Sequence, residues 1–179
     1  KGIYNVPVAS NEPVKSYEPG SPELEELLST YKNMNNSTID VPLYIGNEQI
    51  STEQTIKMTS PHDHQHVLGK ASVGNQEHVR AAIQSALDAK EAWAEMPWNE
   101  RVAIFLKAAD LLTGPFRARM NAATMLAQSK NVFQAEIDAA CELIDFFKFN
   151  AEYVTQIYGE QPESLPGMWN RLEHRPLEG

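Results

Sequence analysis

The sequence predicts an extended N-terminal arm, a few short β-strands and then a set of α-helices. Residues 1–22 contain four prolines and little periodicity. Residues 41–74 contain short apolar runs separated by turn residues, and from residue 75 onward apolar residues recur at helical spacing. We therefore divide the chain into an arm with a short helix (1–40), short strands (41–74), a helical part (75–160) and a terminal segment (161–179).

The composition is that of an ordinary globular chain. Of 179 residues, 42% are hydrophobic, and 15 basic against 24 acidic side chains give a net charge of −9. These values exclude a disordered, collagen-like or disulfide-rich protein, and the acidic balance argues against general nucleic-acid binding. No apolar run approaches the roughly 20 residues that a membrane span needs. The single cysteine, Cys141, fits a reducing compartment.

The first predicted helix runs from Pro22 to about Asn33. Ser21 is a good N-cap, and proline suits the first helical position. The apolar residues that follow at helical spacing are Leu24, Leu27, Leu28 and Tyr31. Residues 33–40 are polar and are predicted to form a loop.

The strand region begins with a predicted hairpin. Residues 41–45 and 48–50 are its two strands, with Gly46 and Asn47 at the tip. Residues 55–59 and 67–73 are further strands, and the segment between them, which begins Ser60-Pro61-His62-Asp63-His64, is predicted to be a surface loop.

Four helices follow in the helical part. The first ends at Pro97, the second is capped by Asn99 and ends at Gly114-Pro115, the third covers roughly residues 116–129, and the longest covers about 132–158. Residues 170–175 alternate and predict a strand with nothing to pair against. This strand and the large apolar surface of the helices predict that the 179 residues belong to a longer chain.

Two sets of reactive side chains need an interpretation. His62, His64 and His66 would face one side of a strand and could bind a metal, but no cysteine or carboxylate set accompanies them, so a solvated loop is favoured and no metal site is assigned. Cys141 lies in a helix interior, which favours a buried, inert thiol over a nucleophile. No glycine-rich phosphate-binding motif occurs, and no Ser-His-Asp set can be assigned.

The longest helix carries the most informative residue, Glu142. At about 100° per residue, one apolar face contains Ile137, Ala140, Ile144, Phe147, Ala151 and Val154. The opposite face contains Ala135, Ala139, Phe146, Phe149 and Tyr153, with Glu142 in its middle between Asp138 and Asp145. A helix that is apolar on two sides is expected to be buried on two sides, with Glu142 among aromatic rings.

A buried carboxylate at position 142 would need a partner. An internal Lys or Arg is the interpretation that physics alone favours, and a cationic group on a ligand is the alternative. A third possibility is that this face is exposed and that Asp138, Glu142 and Asp145 lie in water.

Two stretches carry a family resemblance. The first consists of Trp93, Arg101, FLKAADLL at 105–112 and QSK at 128–130, and it resembles the N-terminal helices of the aldehyde dehydrogenase superfamily. The second, QAEIDAACELIDFFKFNA at 134–151, is similar to the Δ1-pyrroline-5-carboxylate (L-glutamate γ-semialdehyde) dehydrogenase branch. Further similar segments, which extend the resemblance over essentially the whole chain, are 11–14, 19–22, 60–66 and 175–179.

The resemblance implies an α/β parent enzyme that uses NAD to oxidise L-glutamate γ-semialdehyde to glutamate in proline catabolism. The nucleophilic Cys, the general-base Glu and the NAD-binding residues would lie beyond Gly179, so no catalytic or cofactor-binding residue is assigned here and the isolated chain is expected to be inactive. Residues 75–160 would be the helical part of the NAD-binding domain, and 161–179 the start of an oligomerisation β-hairpin.

The resemblance also gives Glu142 a role. It matches the Glu of the family motif A-A-x-E-L-I-D-F-F, which lies near the α-amino group of the substrate, and so favours the ligand interpretation. Cys141 stands where the family usually has Ala, so it is not the nucleophile. The implied partners are a small-molecule substrate and further copies of the chain, with no nucleic acid and no membrane.

Three expectations complete the sequence-based picture. The bacterial cytoplasm is the favoured compartment and the mitochondrial matrix the alternative. The competing functions are a non-catalytic helical interaction module and a dehydrogenase for another aldehyde, although Glu142 argues against the latter. The isolated chain is expected to self-associate or to be poorly soluble.

Overall fold

A computed structural model describes residues 5–175 and residue 177. Its α-helices are α1 (Pro22–Asn35), α2 (Gln76–Glu95), α3 (Trp98–Thr113), α4 (Arg117–Gln128), α5 (Val132–Ala135) and α6 (Glu142–Gly159). A π-helical turn (Glu136–Cys141) joins α5 to α6. The strands are β1 (Ile39–Val41), β2 (Leu43–Ile45), β3 (Glu48–Ile50), β4 (Thr55–Ser60) and β5 (Asp63–Ser72). This order confirms an arm and short strands followed by helices.

Helix α1 forms as its capping residues predict. The Ser21 hydroxyl accepts a hydrogen bond from the Leu24 N–H at 3.3 Å, and proline occupies the first turn. The helix continues two residues beyond the predicted end. Leu27 packs with Tyr17 of the arm and Ala122 of α4 in a buried cluster. The arm and α1 are therefore fastened to α4.

The strands form a two-stranded hairpin and a separate three-stranded sheet. The β2–β3 hairpin is confirmed, with Gly46 at a φ of +59° in its turn. In the sheet, of order β1-β5-β4, β4 pairs antiparallel and β1 pairs parallel with β5. The sequence analysis missed β1 and wrongly assigned Val41 to the hairpin.

The parallel pairing depends on Gly69. A Cβ atom there would lie 2.0 Å from the carbonyl oxygen of Ile39, and the residue has a φ of +155°. A side chain would therefore push β1 away from β5. β5 is also longer than predicted, because its antiparallel pairing with β4 extends back to Asp63.

The helical part follows the predicted boundaries closely. The side chain of Asn75 and that of His78 form a capping box at the start of α2. Helix α3 begins at Trp98 after Pro97, so Asn99 is inside the helix and is not its cap. Helix α3 packs on α6, where the rings of Phe105 and Phe147 lie 5.9 Å apart.

The apolar face of α2 is open in the described part of the chain. None of its residues is buried, and four of its large apolar side chains are exposed by more than a third, namely Val79, Ile83, Leu87 and Trp93. None of the helices among the described residues is long and apolar enough to cross a membrane.

The longest helix has the predicted extent but not a uniform geometry. Residues 132–159 run without a break, yet the turn from Glu136 to Cys141 is π-helical. A π-turn inserts one extra residue, which shifts the phase of the helix by about 100°. A single helical wheel therefore does not describe both sides of the turn.

The terminal segment does not form the expected strand. Residues 161–175 have no regular secondary structure, and the Gln161 side chain bonds to both the backbone N–H and the C=O of Leu172. The strand prediction for 170–175 is wrong in this chain, because the ladder has no partner strand. Residues 176, 178 and 179 lie outside the described residues, and the assignment of 161–179 to an oligomerisation hairpin stays a prediction.

Candidate functional site

Two acidic side chains of the longest helix lie in opposite environments. Glu136 begins the π-turn and is fully buried, whereas Glu142 begins α6 and is exposed. The helical spacing of the sequence drew attention to Glu142 and gave no sign of Glu136.

Glu136 accepts hydrogen bonds at both of its carboxylate oxygens. Oε1 accepts from the backbone N–H of Lys15 at 2.8 Å and from Nη2 of Arg117. Oε2 accepts from the Tyr17 hydroxyl and from Nδ2 of Asn121, each at 2.8 Å, and from Nε of Arg117 at 3.3 Å. The arm and α4 together satisfy this buried charge.

Arg117 connects Glu136 to a second carboxylate. Its Nη1 lies 2.5 Å from Oε1 of Glu12, and Nζ of Lys148 lies 2.6 Å from the other oxygen of Glu12. Arg117 is 3% exposed. Two cations and two carboxylates thus balance in charge across the arm, α4, the π-turn and α6. We call Glu12, Arg117, Glu136 and Lys148 the buried charge cluster.

The cluster keeps its carboxylates ionised. Burial alone would raise the pKa of Glu136, but hydrogen bonds from Arg117, Lys15, Tyr17 and Asn121 outweigh it and lower the pKa to about 2. The pKa of Glu12 is lowered in the same way, because the contacts with Lys148 and Arg117 overcome the effect of burial. Both groups are therefore charged at neutral pH.

Cys141 lies at the other end of the π-turn. Its Sγ is 3.4 Å from Nη2 of Arg117 and 3.7 Å from Oε1 of Glu136. Burial and the negative charge of Glu136 raise the pKa of the thiol to about 11. A buried, protonated thiol is a poor nucleophile, which agrees with the inert role that the sequence predicts.

Glu142 faces a shallow depression of about 330 Å³ between α4 and the start of α6. The other residues that line it are Met120, Thr124, Gln128, Lys130, Asp138, Ala139, Leu143 and Phe146. Apolar side chains and one carboxylate without a partner are a suitable surface for a small ligand that carries a positive charge.

The two acidic neighbours of Glu142 already have partners. Asp138 forms an ion pair with Lys130 at 2.7 Å. Asp145 accepts hydrogen bonds from the N–H of Glu12 at 2.6 Å and from the side chain of Asn11 at 2.8 Å, so it holds the arm. Among the described residues Glu142 forms no hydrogen bond or ion pair. It alone of the three carboxylates is free to meet a ligand.

The burial expected of the second helix face holds for Ala135 but is wrong for Phe146 and Tyr153 beyond the π-turn. Phe146 is 60% and Tyr153 is 47% exposed. An internal partner for Glu142 is likewise absent from the residues that the structure describes. The first apolar face is confirmed, since Ala140, Ile144 and Ala151 are buried.

The histidines lie apart from this depression. His62 occupies the turn between β4 and β5, and its Nδ1 is 2.7 Å from the hydroxyl of Ser129. His64 and His66 lie in β5 rather than in a loop. Within residues 5–175 and 177, no three metal-ligating side chains converge on one point.

The N-terminus of α2, which follows β5, is not shaped to hold a dinucleotide phosphate. β5 leads into α2 through Val73-Gly74-Asn75, and the N-terminus of α2 is closed by the Asn75 and His78 side chains. This helix end therefore has no free capping position for a phosphate. A nicotinamide cofactor would need residues other than these.

The cluster could have been suspected from one sequence signal. Arg117, Asn121 and Thr124 stand at positions i, i+4 and i+7 of α4, which places three polar side chains on one face. All three are buried. A polar stripe inside a buried face indicates a partner of opposite charge, although it does not identify Glu136 as that partner.

Comparison with known proteins supports one family. The family model described as "Aldehyde dehydrogenase family" matches residues 48–179. The chain is 48% identical over 178 residues to a Delta-1-pyrroline-5-carboxylate dehydrogenase of Agaricus bisporus, covering 98% of this chain and 33% of that protein. It is 42% identical over 170 residues to the mitochondrial enzyme of that name from Homo sapiens, covering 95% of this chain and 30% of that one.

A solved structure agrees with these relatives. The Delta-pyrroline-5-carboxylate dehydrogenase from Mycobacterium tuberculosis, bound with NAD and cobalamin, superposes with a TM-score of 0.97 at 46% identity. The match covers 100% of this chain and 34% of that protein. The chain thus spans about a third of the length of the relatives that it matches.

Proposed function

The chain belongs to the aldehyde dehydrogenase family, and from that premise we propose that it is the N-terminal portion of an NAD-dependent dehydrogenase that oxidises L-glutamate γ-semialdehyde to glutamate. The observation that carries this proposal is the 48% identity to a Delta-1-pyrroline-5-carboxylate dehydrogenase over 98% of the chain. The Cys141 thiol is buried with a raised pKa, and the N-terminus of α2 is closed by its own capping side chains. The nucleophile and the NAD site would therefore be provided by further residues of the full-length protein.

This chain would contribute recognition of the amino-acid end of the substrate. Glutamate semialdehyde carries an ammonium group that a simple aldehyde lacks. Glu142 is the one carboxylate of the depression without a partner among the described residues, and Phe146 and Leu143 beside it are apolar. A carboxylate in such a wall orients an ammonium through a charge-assisted hydrogen bond and thereby fixes where the aldehyde end lies.

The role of Glu142 is tested in the full-length protein that contains this sequence. Glu142→Gln keeps the size of the side chain and removes its charge. We expect the KM for glutamate semialdehyde to rise by about ten- to a hundredfold, because a hydrogen bond to a charged group contributes about 1.5–3 kcal/mol. The KM for propanal, which has no amino group, should rise far less.

Glu160→Gln is the matched control. Glu160 is an exposed glutamate just beyond α6, outside the depression. It should leave both KM values close to those of the parent protein. Equal increases for the two aldehydes in Glu142→Gln would reject the role of Glu142, and poor turnover of glutamate semialdehyde by the unmodified protein would favour another aldehyde as its substrate.

Assembly and compartment are part of the same proposal. We propose a homo-oligomer in which residues 161–179 contribute a β-hairpin to the subunit contact, since residues 161–175 form no strand within this chain. We propose the bacterial cytoplasm as the compartment, supported by the similarity to the Mycobacterium tuberculosis protein. The mitochondrial matrix is the alternative that the human and bovine relatives support.

A further inference from the structure

The π-turn connects the two acidic residues. Its first residue is the buried Glu136, and its last residue, Cys141, directly precedes Glu142. Arg117 contacts both ends of the turn, because its Nη2 donates to Oε1 of Glu136 and lies 3.4 Å from Sγ of Cys141. A single guanidinium group from α4 therefore spans the turn that leads into Glu142.

The approach of Glu136 and Cys141 to the same guanidinium depends on the π geometry. In an α-helix, residues five apart point about 140° away from each other, whereas a π-turn brings them onto one face. Sγ of Cys141 and Oε1 of Glu136 accordingly lie 3.7 Å apart. If the turn relaxed to an α-helix, the residues after it would rotate by about 100° relative to Glu136. Glu142, the first residue after the turn, would change direction.

The same helix that holds the turn also builds the opposite wall of the depression. Arg117 lies in the first turn of α4, and Met120, Thr124 and Gln128 farther along α4 line the depression that Glu142 faces. Arg117 and Glu136 are 3% and 0% exposed, so neither can meet a ligand directly. Any effect they have on substrate is therefore indirect, and the contacts of Arg117 with both ends of the π-turn point to the turn as the route.

We propose that Arg117 and Glu136 are positioning residues that hold the π-turn and thereby direct Glu142 toward the ammonium group of the substrate. This inference rests on the proposed function. It assigns the buried pair a part in substrate selectivity in addition to its part in anchoring the arm.

The test replaces the buried pair by apolar residues of similar size in the full-length protein, as Arg117→Met with Glu136→Leu. Such replacements often preserve stability. Here Tyr17, Asn121 and the Lys15 N–H lose their acceptor, so thermal unfolding is measured to verify that the variant folds. We expect the KM for glutamate semialdehyde to rise about tenfold, since small misplacements of an orienting group have large effects. The kcat and the KM for propanal should stay near the parent values.

The same double replacement in a Glu142→Gln background shows whether the pair acts through Glu142. No further increase in the KM for glutamate semialdehyde is expected there. An independent increase would overturn the proposal, as would unchanged KM values in the double variant alone. Loss of kcat with both aldehydes would also overturn it, because that pattern indicates general loosening of the fold.

Arg117→Lys provides a second variant in case the apolar pair does not fold. Lysine keeps the positive charge but cannot contact both ends of the turn with a planar group. A selective rise in the KM for glutamate semialdehyde supports the proposal, and an unchanged KM overturns it. If Glu142→Gln alone has no selective effect, the proposed role of Glu142 fails. If it has one and neither Arg117 variant does, only this inference fails.

Discussion

Glu136 and Glu142 stand six residues apart in one continuous run of helix, yet they belong to two different regions of the molecule. Glu136 is fully buried and its two oxygens accept five hydrogen bonds from the arm and α4. Glu142 is exposed beside an open depression and has no partner among the described residues. Two glutamates of one helical run therefore lie in opposite environments, one buried and fully hydrogen-bonded and the other exposed without a partner among the described residues.

The comparison shows how a carboxylate's surroundings determine its use. A charge that is buried with all its lone pairs satisfied fixes the positions of the segments that donate to it. A charge that faces a half-apolar surface without a partner can still exchange water for a ligand. Burial thus indicates an internal anchor at Glu136, whereas exposure beside apolar residues is the observation on which the proposed recognition role of Glu142 rests.

The largest expected difference between the two regions is in stability. Glu136→Ala leaves Arg117 buried without this partner, and breaking a buried pair typically costs about 3–5 kcal/mol. Glu142→Ala removes an exposed side chain and should change the free energy of unfolding by less than about 0.5 kcal/mol. Denaturant unfolding of the full-length protein measures both values. Similar losses in the free energy of unfolding for the two variants would contradict the view that Glu136 is an internal anchor and Glu142 is not.

Acid should destabilise the fold through the buried charge cluster. The pKa of Glu136 is about 2 in the folded chain against an ordinary value of 4.5. A lowered pKa stabilises the fold fully above the unfolded value, and this stabilisation is lost as the pH falls from about 4.5 toward 2. Thermal unfolding across that range should show a falling midpoint.

The acid effect can be assigned with Glu136→Gln, which does not titrate. Its midpoint should depend less on pH between 4.5 and 2 than that of the parent. Some dependence should remain, because Glu12 also has a lowered pKa. An unchanged slope in the variant would assign the acid sensitivity to other groups.

A small effect is also expected for the exposed ion pair beside Glu142. Nζ of Lys130 lies 2.7 Å from Oδ2 of Asp138, and the two side chains are 31% and 44% exposed. Lys130→Met should lower the free energy of unfolding by no more than about 1 kcal/mol, because exposed pairs contribute little. High salt should leave the variant and the parent equally stable. A loss of unfolding free energy as large as that of Glu136→Ala would show that the Lys130–Asp138 pair is needed for the stability of the fold.

Much of the local structure could be predicted from the sequence. Ser21 with Pro22 identified the start of α1, Gly46 with Asn47 identified the hairpin turn, and Gly114-Pro115 marked the end of α3. Each of these signals acts through the backbone of its immediate neighbours. The resemblance of residues 134–151 likewise identified the family and drew attention to Glu142, without any knowledge of the fold.

Contacts between distant segments could be seen only in the tertiary structure. Glu12 and Arg117 are 105 residues apart in sequence, and no local signal pairs them. The pairing of β1 with β5 and the π-turn were also missed, the latter because one extra residue leaves the apolar spacing on each side intact. Helices and turns can be predicted from the sequence because they depend on the steric and hydrogen-bonding preferences of neighbouring residues. Buried charges are matched only when packing brings their segments together and removes the water between them.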